Sequence, residues 1–343
     1  MTPDHDAVAD AAPRDWTRRL PTGQRPYAQI ARWDRPIGWW LLLWPCWWSL
    51  VLALNVAVLA VTSVDQFPTV SPADRDAVAR SFMLTLWAGS LVALGLFWVG
   101  AVAMRGAGCT WNDISDRRLD AGVARTRSRP LPSGRIGVRG ALLFLLLQLL
   151  VGLGVLLGLA MVSPAPLFVV GLGFLAVPVT VLYPFAKRVT DWPQLVLGLA
   201  FSWGAMMGWA VLFGTLEPAP LLLYAGCVAW TVGYDTIYAH QDREDDALVG
   251  VRSTARLFGR HTRPALVVVY GVALALFAGA FAVAGVHPVA WIGLGLAALH
   301  LARQIATLDI DDAGQCLDLF RSNGQVGWLV FLGLLAGAAL RAF

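Results

Sequence analysis

The chain has 343 residues, of which 57% are hydrophobic and only 14% are charged, with a formal net charge of +4. Its mean hydropathy of +0.63 excludes an ordinary soluble globular protein. The composition predicts an all-α polytopic membrane protein. The positive charge requires no nucleic-acid partner, because membrane topology explains where the basic residues lie.

Nine mostly apolar segments are long enough to cross the hydrocarbon core of a bilayer, which takes about 20 residues. In chain order they cover residues 37–61, 82–104, 139–162, 166–186, 193–214, 219–241, 264–285, 287–305 and 325–341. We therefore expect a bundle of about nine transmembrane helices.

Lys and Arg concentrate in alternate connections between these segments, which sets the orientation by the positive-inside rule. Of the 26 basic residues, only Arg75, Arg80 and Arg341 fall on the opposite side. The N-terminus is thus predicted to be cytoplasmic and the C-terminus periplasmic. Residues 1–30 are polar and lack the apolar core of a secretory signal, so we expect a disordered cytosolic tail before a transmembrane domain over residues 31–343. The four cysteines are too scattered to predict disulfides or a zinc site.

Two acidic segments follow apolar segments on the predicted cytoplasmic side. In the first, Asn112, Asp116 and Asp120 are four residues apart, so on a helix their oxygens lie along one face. In the second, Asp242 and Asp246 have the same spacing. Such a row of oxygen ligands is suited to a hard cation such as Mg²⁺.

Arginines follow each acidic segment, Arg125 and Arg129 after the first and Arg252 and Arg256 after the second. Carboxylates followed by guanidinium groups suit a metal-bound polyphosphate, since Arg binds the phosphate oxygens that the metal leaves open. One acidic stretch beside a membrane helix is usually a solvated connector. Two stretches with equal spacing, equal sidedness and matched arginines favour a functional site. The segments DRRLDAGVARTRSRPL and DREDDALVGVRSTARL also form a weak internal repeat.

Other polar residues near the predicted membrane surface have a structural alternative. Arg32 and Arg35 flank the entry into the first segment and would also serve as interfacial anchors. Tyr183 and Lys187 share a helical face at the end of the fourth segment, where an interface pair is the alternative. His240 precedes the second acidic segment, and we expect a hydrogen-bonded bystander rather than a metal ligand.

The motifs NDISDRRLD, RTRSRPLPSG, YPFAKR, YDTIYAHQDREDD and GVRSTARLFG together resemble the UbiA superfamily of membrane aromatic prenyltransferases, over roughly residues 28–343. The resemblance is strongest to the branch that prenylates 4-hydroxybenzoate, an early step of ubiquinone biosynthesis. It implies that Mg²⁺ and the diphosphate of a polyprenyl donor are held by Asn112, Asp116, Asp120, Asp242 and Asp246. It also implies a central chamber within the membrane, closed by cytosolic loops, in a bacterial inner membrane. No obligate protein partner is evident.

We expect Arg125, Arg129, Lys187 and Arg252 to bind the diphosphate, with Tyr183 beside them. Members of the family commonly have Lys where Arg252 stands, and the charge is kept.

The acceptor carboxylate needs a cation of its own, because an unpaired anion in hydrocarbon costs several kcal/mol. We expect Arg32 to supply it, since its guanidinium matches a carboxylate bidentately. Arg35 stands where many members of the family have Lys, and it is the next candidate.

The mechanism that the resemblance implies is ionisation of the allylic C–O bond, followed by attack of the phenol ring ortho to its hydroxyl. Rival acceptors are homogentisate, a naphthoate and porphyrin-type substrates. The alternative from another class is a cation-coupled transporter, but transporters usually place such residues near the bilayer midplane.

Overall fold

The computed structural model describes residues 15–62, 72–122, 126–243 and 250–342, and within these ranges all regular secondary structure is helical. Three 3₁₀ turns cover Trp16–Arg19, His240–Asp242 and Gly259–His261. The α-helices are α1 (Arg25–Ile30), α2 (Ile37–Thr62), α3 (Pro72–Asp120), α4 (Val138–Val162), α5 (Pro166–Val189), α6 (Pro193–Phe201), α7 (Gly204–Phe213), α8 (Pro218–Ala239), α9 (Thr254–Phe258), α10 (Thr262–Val283), α11 (Pro288–Thr307) and α12 (Ala313–Ala342).

The predicted transmembrane segments all coincide with helices. In the described ranges, eight helical stretches are long and apolar enough to cross a membrane, with α6 and α7 forming one span that breaks at Ser202 and Trp203. The predicted segment at 219–241 corresponds to α8, which is 22 residues long and largely buried within the bundle. The prediction of about nine helices in an all-α membrane protein is therefore confirmed.

Helix α2 lies at the centre of the bundle and contacts α3, α7, α8 and α12. Its tryptophans supply much of the core, and Trp44 and Trp48 are fully buried. The indole of Trp48 donates a hydrogen bond to the Gly327 carbonyl on α12 at 2.9 Å. A Cβ on Gly327 would come within 2.1 Å of the Trp44 ring, so only glycine lets α12 approach this closely.

Helices α4 and α5 lie at the edge of the bundle, where most of their side chains are exposed. These exposed side chains are mainly Leu, Val and Phe, which are suited to contact with lipid. The two helices therefore lie at the periphery of the bundle, whereas α2 is buried at its centre.

Helix α3 continues beyond its apolar stretch and ends at Asp120, and α8 ends at Ala239 on the same side of the bundle. We call this side the acidic end. Between α3 and α4 the described residues form turns rather than a continuous helix, as Pro130 and Pro132 predict. Leu131 and Ile136 of this connection are buried beside Ile30, which closes the acidic end with a small apolar cap.

The folded part of the chain begins earlier than the predicted boundary at residue 31. Residues 1–14 of the predicted tail lie outside the described residues. Residues 16–19 and 25–30 form helical turns, and Ala28 and Ile30 are buried. The polar composition of this stretch concealed the few apolar side chains that pack against the bundle.

Candidate active site

A chamber of about 1080 Å³ opens inside the bundle, between α2, α3, α5, α6 and α8. At the acidic end it is lined by the polar side chains of Arg32, Arg35, Asn112 and Arg129. A second part of the chamber extends between α4 and α5, where its walls are apolar, including Leu153, Leu156, Phe174 and Val177. The chamber thus joins a cation-rich end to an apolar arm that reaches the lipid-facing side of the bundle.

The first acidic segment forms the last turns of α3, so Asn112, Asp116 and Asp120 are spaced along one helix, as predicted. Asp116 is fully buried, and its two carboxylate oxygens accept hydrogen bonds from Lys187 and from Arg188, the latter at 3.1 Å. Asp120 accepts a hydrogen bond from Arg129 at 2.8 Å. Burial raises the pKa of Asp120, an effect that the charge of Arg129 partly offsets. The predicted diphosphate ligands Arg129 and Lys187 therefore lie directly beside the predicted metal ligands.

Asp113 is a central residue of this network that the sequence analysis missed. Its carboxylate is completely buried and accepts hydrogen bonds from Arg32 at 2.7 Å and from Arg129 at 3.4 Å. Arg32 also donates to the Gln29 carbonyl at 2.9 Å. The four-residue spacing pointed to Asn112 but not to the adjacent Asp113. Asp113 was missed because its partner Arg32 lies 81 residues away in the sequence, and no local pattern shows such a contact.

Arg32 adopts a left-handed backbone conformation, with φ of 59°. It is the only described non-glycine residue with positive φ. Such a conformation is unfavourable for a residue with a side chain. The buried ion pair with Asp113 stabilises Arg32 in this conformation, in which it lines the chamber.

The second acidic segment is described only in part. Asp242 ends the His240–Asp242 turn after α8, whereas Asp246 and the predicted diphosphate ligand Arg125 lie outside the described residues. Arg252 is exposed, and its side chain donates to the Val189 carbonyl at 3.3 Å. Its backbone N–H donates to the Lys187 carbonyl at 3.1 Å. Arg252, which follows the second acidic segment, is thereby hydrogen-bonded to Lys187, the residue whose side chain binds Asp116.

His240 and Arg243, next to Asp242, have structural partners. The His240 ring shares a hydrogen bond with the Thr262 hydroxyl at 3.0 Å. Burial, together with the charge of Arg243, lowers the pKa of His240 to about 4. The predicted hydrogen bond of His240 is therefore present. Arg243 pairs with Asp311 at 2.8 Å, so the α11–α12 connection anchors the start of the second segment.

Two charged side chains deeper in the chamber were not assigned a role from the sequence. Arg105 of α3 lies over the Phe201 ring, 5.1 Å from its centroid, and its buried Nε has no hydrogen-bond partner among the described residues. Asp235 of α8 and the predicted substrate ligand Tyr183 also line the chamber. An ionisable residue inside a membrane helix is a functional candidate by default, and this signal was available in the sequence.

The comparisons with known proteins agree with this geometry. Residues 77–335 match the UbiA prenyltransferase family. The chain belongs to this family. It is 41% identical over 340 residues to a mitochondrial 4-hydroxybenzoate polyprenyltransferase of Drosophila pseudoobscura pseudoobscura, covering 96% of this chain and 75% of the relative. The enzyme of the same name from Homo sapiens is 40% identical over 336 residues, covering 96% and 78%.

Solved structures of UbiA homologs have the same fold. The apo homolog from Aeropyrum pernix K1 superposes with a TM-score of 0.62 at 22% identity, covering 84% of this chain and 97% of that one. A homolog from Archaeoglobus fulgidus bound to GPP and Mg²⁺ gives a TM-score of 0.58 at 16% identity, covering 92% and 99%. At these identities the likeness concerns the fold alone.

The residues of this UbiA family member fit a divalent cation at the acidic end. Asn112, Asp116 and Asp120 offer only oxygen donors from one helix, the chemistry that Mg²⁺ prefers. Among the described residues, no group of three or more His, Cys, Asp or Glu side chains is placed closely enough to hold a metal ion. The carboxylates of Asp116 and Asp120 are paired with Lys187, Arg188 and Arg129.

Proposed function

We propose that this protein transfers a polyprenyl group from polyprenyl diphosphate to the ring of 4-hydroxybenzoate, ortho to the hydroxyl, in an Mg²⁺-dependent early step of ubiquinone biosynthesis. The observation that carries the proposal is the chamber, which joins a cation-rich polar end to an apolar arm between α4 and α5. The two ends match the two ends of an amphipathic prenyl diphosphate. The names of the relatives support the same donor and acceptor.

In this proposal the metal ligands are Asn112, Asp116, Asp120, Asp242 and Asp246. The bound Mg²⁺ would neutralise negative charge on the diphosphate and so make it a better leaving group. The A. fulgidus homolog bound to GPP and Mg²⁺ supports a divalent cation together with an allylic diphosphate.

The cations beside these carboxylates would stabilise the departing diphosphate. Arg129 and Lys187 already lie at hydrogen-bond distance from Asp120 and Asp116, so they can turn to phosphate oxygens when the metal takes the carboxylates. Arg125 and Arg252 are proposed to complete this set, and Tyr183 lies at the same end of α5. Fixed cations aimed at developing charge contribute most when water is excluded.

The apolar arm would hold the prenyl chain and keep water from the allylic cation. Its walls are Leu, Val and Phe side chains of α4 and α5, the helices with the most exposure toward lipid. A long prenyl chain can therefore enter from the membrane. The indole of Trp203 and the ring of Phe201 also line the chamber, and their faces suit a cation.

The acceptor carboxylate has two candidate partners, Arg32 and Arg105. Arg32, which we expected from the sequence, already pairs with Asp113 and the Gln29 carbonyl. Arg105 lies deeper, and among the described residues its guanidinium forms no ion pair with a carboxylate. The geometry therefore favours Arg105 as the direct partner, whereas the Arg32 guanidinium is already bound by Asp113 and Gln29.

An acceptor panel tests this assignment with purified enzyme. 4-Hydroxybenzoate, homogentisate and a hydroxynaphthoate would compete for one prenyl diphosphate, with products resolved by mass. We expect 4-hydroxybenzoate to dominate, and Arg105→Lys to raise its KM more than Arg32→Lys does. Preferential use of another acceptor would contradict the proposed substrate. If Arg32→Lys raised the KM for 4-hydroxybenzoate more than Arg105→Lys did, Arg32 would be the partner of the acceptor carboxylate.

The described helices support an integral membrane protein. We propose that the N-terminus and the acidic end face the cytoplasm of a bacterial cell, with the C-terminus in the periplasm. The relatives named above are mitochondrial by name. An inner membrane in either setting would give the enzyme access to a lipid-soluble donor.

A further inference from the structure

Arg105 and Asp235 occupy matching places beneath the proposed metal site. Arg105 precedes Asn112 by seven residues on α3, and Asp235 precedes Asp242 by seven residues along α8 and the following turn. Seven helical residues correspond to a rise of about 10 Å. Both side chains line the chamber. An acceptor ring bound beneath the diphosphate would therefore lie beside them.

The proposed function has so far given no role to Asp235, whose carboxylate lines the chamber. Within the part of the chain that the structure describes, its carboxylate forms no hydrogen bond and no ion pair, although Arg105 lies close enough to act on it electrostatically. Leaving an acidic group unpaired in a membrane-embedded chamber is costly, so its presence points to a function. Two helical turns separate it from Asp242, which places it outside the proposed metal ligands.

We propose that Asp235 is the base that removes the ring proton of the acceptor. The inference rests on the proposed function, because it needs an aromatic acceptor in the chamber. The allylic C–O bond breaks and its electron pair leaves with the diphosphate. A π electron pair of the ring then forms the new C–C bond. The C–H bond at that ring carbon breaks, its electron pair restores aromaticity, and the proton passes to the Asp235 carboxylate.

The surroundings of Asp235 suit this role better than those of the other carboxylates. Asp116 and Asp120 are held by cations at the acidic end, and Asp113 is buried behind Arg32. Asp235 faces the chamber beside Tyr183, Tyr234 and Tyr238, whose rings would enclose an aromatic acceptor. With bulk water excluded, the ring proton needs a fixed acceptor of this kind.

The decisive experiment is a ring-deuterium isotope effect. Wild-type enzyme and Asp235→Asn would be assayed with 4-hydroxybenzoate and with its analogue deuterated at both positions ortho to the hydroxyl. We expect turnover of Asp235→Asn to fall about 10²-fold or more, the usual contribution of a general base. We also expect a primary isotope effect larger than that of the wild type, because proton removal becomes slow. A structural defect would not move the isotope effect.

Two controls separate this inference from other failures. Asp235→Glu restores a carboxylate, and we expect it to recover turnover and reduce the isotope effect relative to Asp235→Asn. The neutral amide relieves the cost of a buried charge, so Asp235→Asn should fold and bind prenyl diphosphate as the wild type does. If wild-type enzyme prenylates 4-hydroxybenzoate while Asp235→Asn keeps normal turnover with an unchanged isotope effect, the base lies elsewhere. If wild-type enzyme gives no product, the proposed function itself has failed.

Discussion

Asp116 is the carboxylate on which the proposed metal site depends most, because Lys187 and Arg188 hold both of its oxygens. We predict that Asp116→Asn lowers turnover about 10²-fold or more, since the amide neither binds Mg²⁺ well nor orients the two cations. Titration of Mg²⁺ in the presence of prenyl diphosphate should show weakened binding. Glu217→Gln is the matched control, because Glu217 is exposed and its side chain forms no cap hydrogen bond. Full turnover in Asp116→Asn would remove this residue from the metal site.

Gly38 of α2 leaves the space in which the Arg105 guanidinium lies. A Cβ on Gly38 would be 2.6 Å from Nε of Arg105, so the arginine would have to move. We predict that Gly38→Ala raises the KM for 4-hydroxybenzoate, with little change in the KM for prenyl diphosphate. The control is Gly95→Ala, because a Cβ on Gly95 would meet nothing within 4 Å. Equal KM values in the two variants would contradict the role of Arg105.

At the scale of helices, the contact between α2 and α7 depends on Gly208. A Cβ there would come within 2.4 Å of the Cys46 carbonyl oxygen and 2.6 Å of the Leu50 nitrogen, both of them backbone atoms that cannot rotate away. We predict that Gly208→Ala destabilises the bundle by about 1–3 kcal/mol, the usual cost of overpacking. Thermal unfolding in detergent should show this loss, whereas Gly171→Ala, which meets nothing within 4 Å, should unfold like the wild type. If Gly208→Ala unfolded at the same midpoint temperature as the wild type, the close contact between α2 and α7 would not depend on glycine at this position.

The helices were largely predictable because span length and hydropathy are local properties of the sequence. The polar residues that continue a helix beyond its apolar stretch were harder to predict. The prediction ended the second span at residue 104, whereas α3 continues as one helix to Asp120. Cutting the segment at its last apolar residue placed Arg105 in a connection rather than in the chamber wall. Extending the helical period through the acidic segment would have put Arg105 and Asn112 on one face.

At the scale of the whole molecule, the row of acidic side chains at the end of α3 was predictable and the ion-pair network was not. Spacing along the chain located Asp116 and Asp120. The pairs Arg32–Asp113 and Lys187–Asp116 join positions 81 and 71 residues apart. No local pattern contains such pairings, because they depend on how the helices pack. The internal repeat predicted two similar acidic segments, yet Asp116 lies within a long helix and Asp242 at the end of a 3₁₀ turn.

The proposed orientation is testable because all four native cysteines are buried and should label slowly. Ser133, in the connection after α3, and Glu217, before α8, are both exposed and lie on opposite sides in the predicted topology. In intact cells we predict that a membrane-impermeant maleimide labels Glu217→Cys and spares Ser133→Cys. Inverted membrane vesicles should give the opposite pattern. Labelling of Ser133→Cys alone in intact cells would reverse the proposed topology.

The central claim is prenyl transfer to 4-hydroxybenzoate, and mass analysis of product from membranes containing this protein tests it most directly. With 4-hydroxybenzoate, a polyprenyl diphosphate and Mg²⁺, we predict a product whose mass equals the acceptor plus the prenyl group minus one hydrogen. Chelation of the metal should abolish this product reversibly, and membranes containing Asp116→Asn should form very little of it. Folded wild-type protein that yields no such product, or that yields it undiminished in EDTA, would contradict the account.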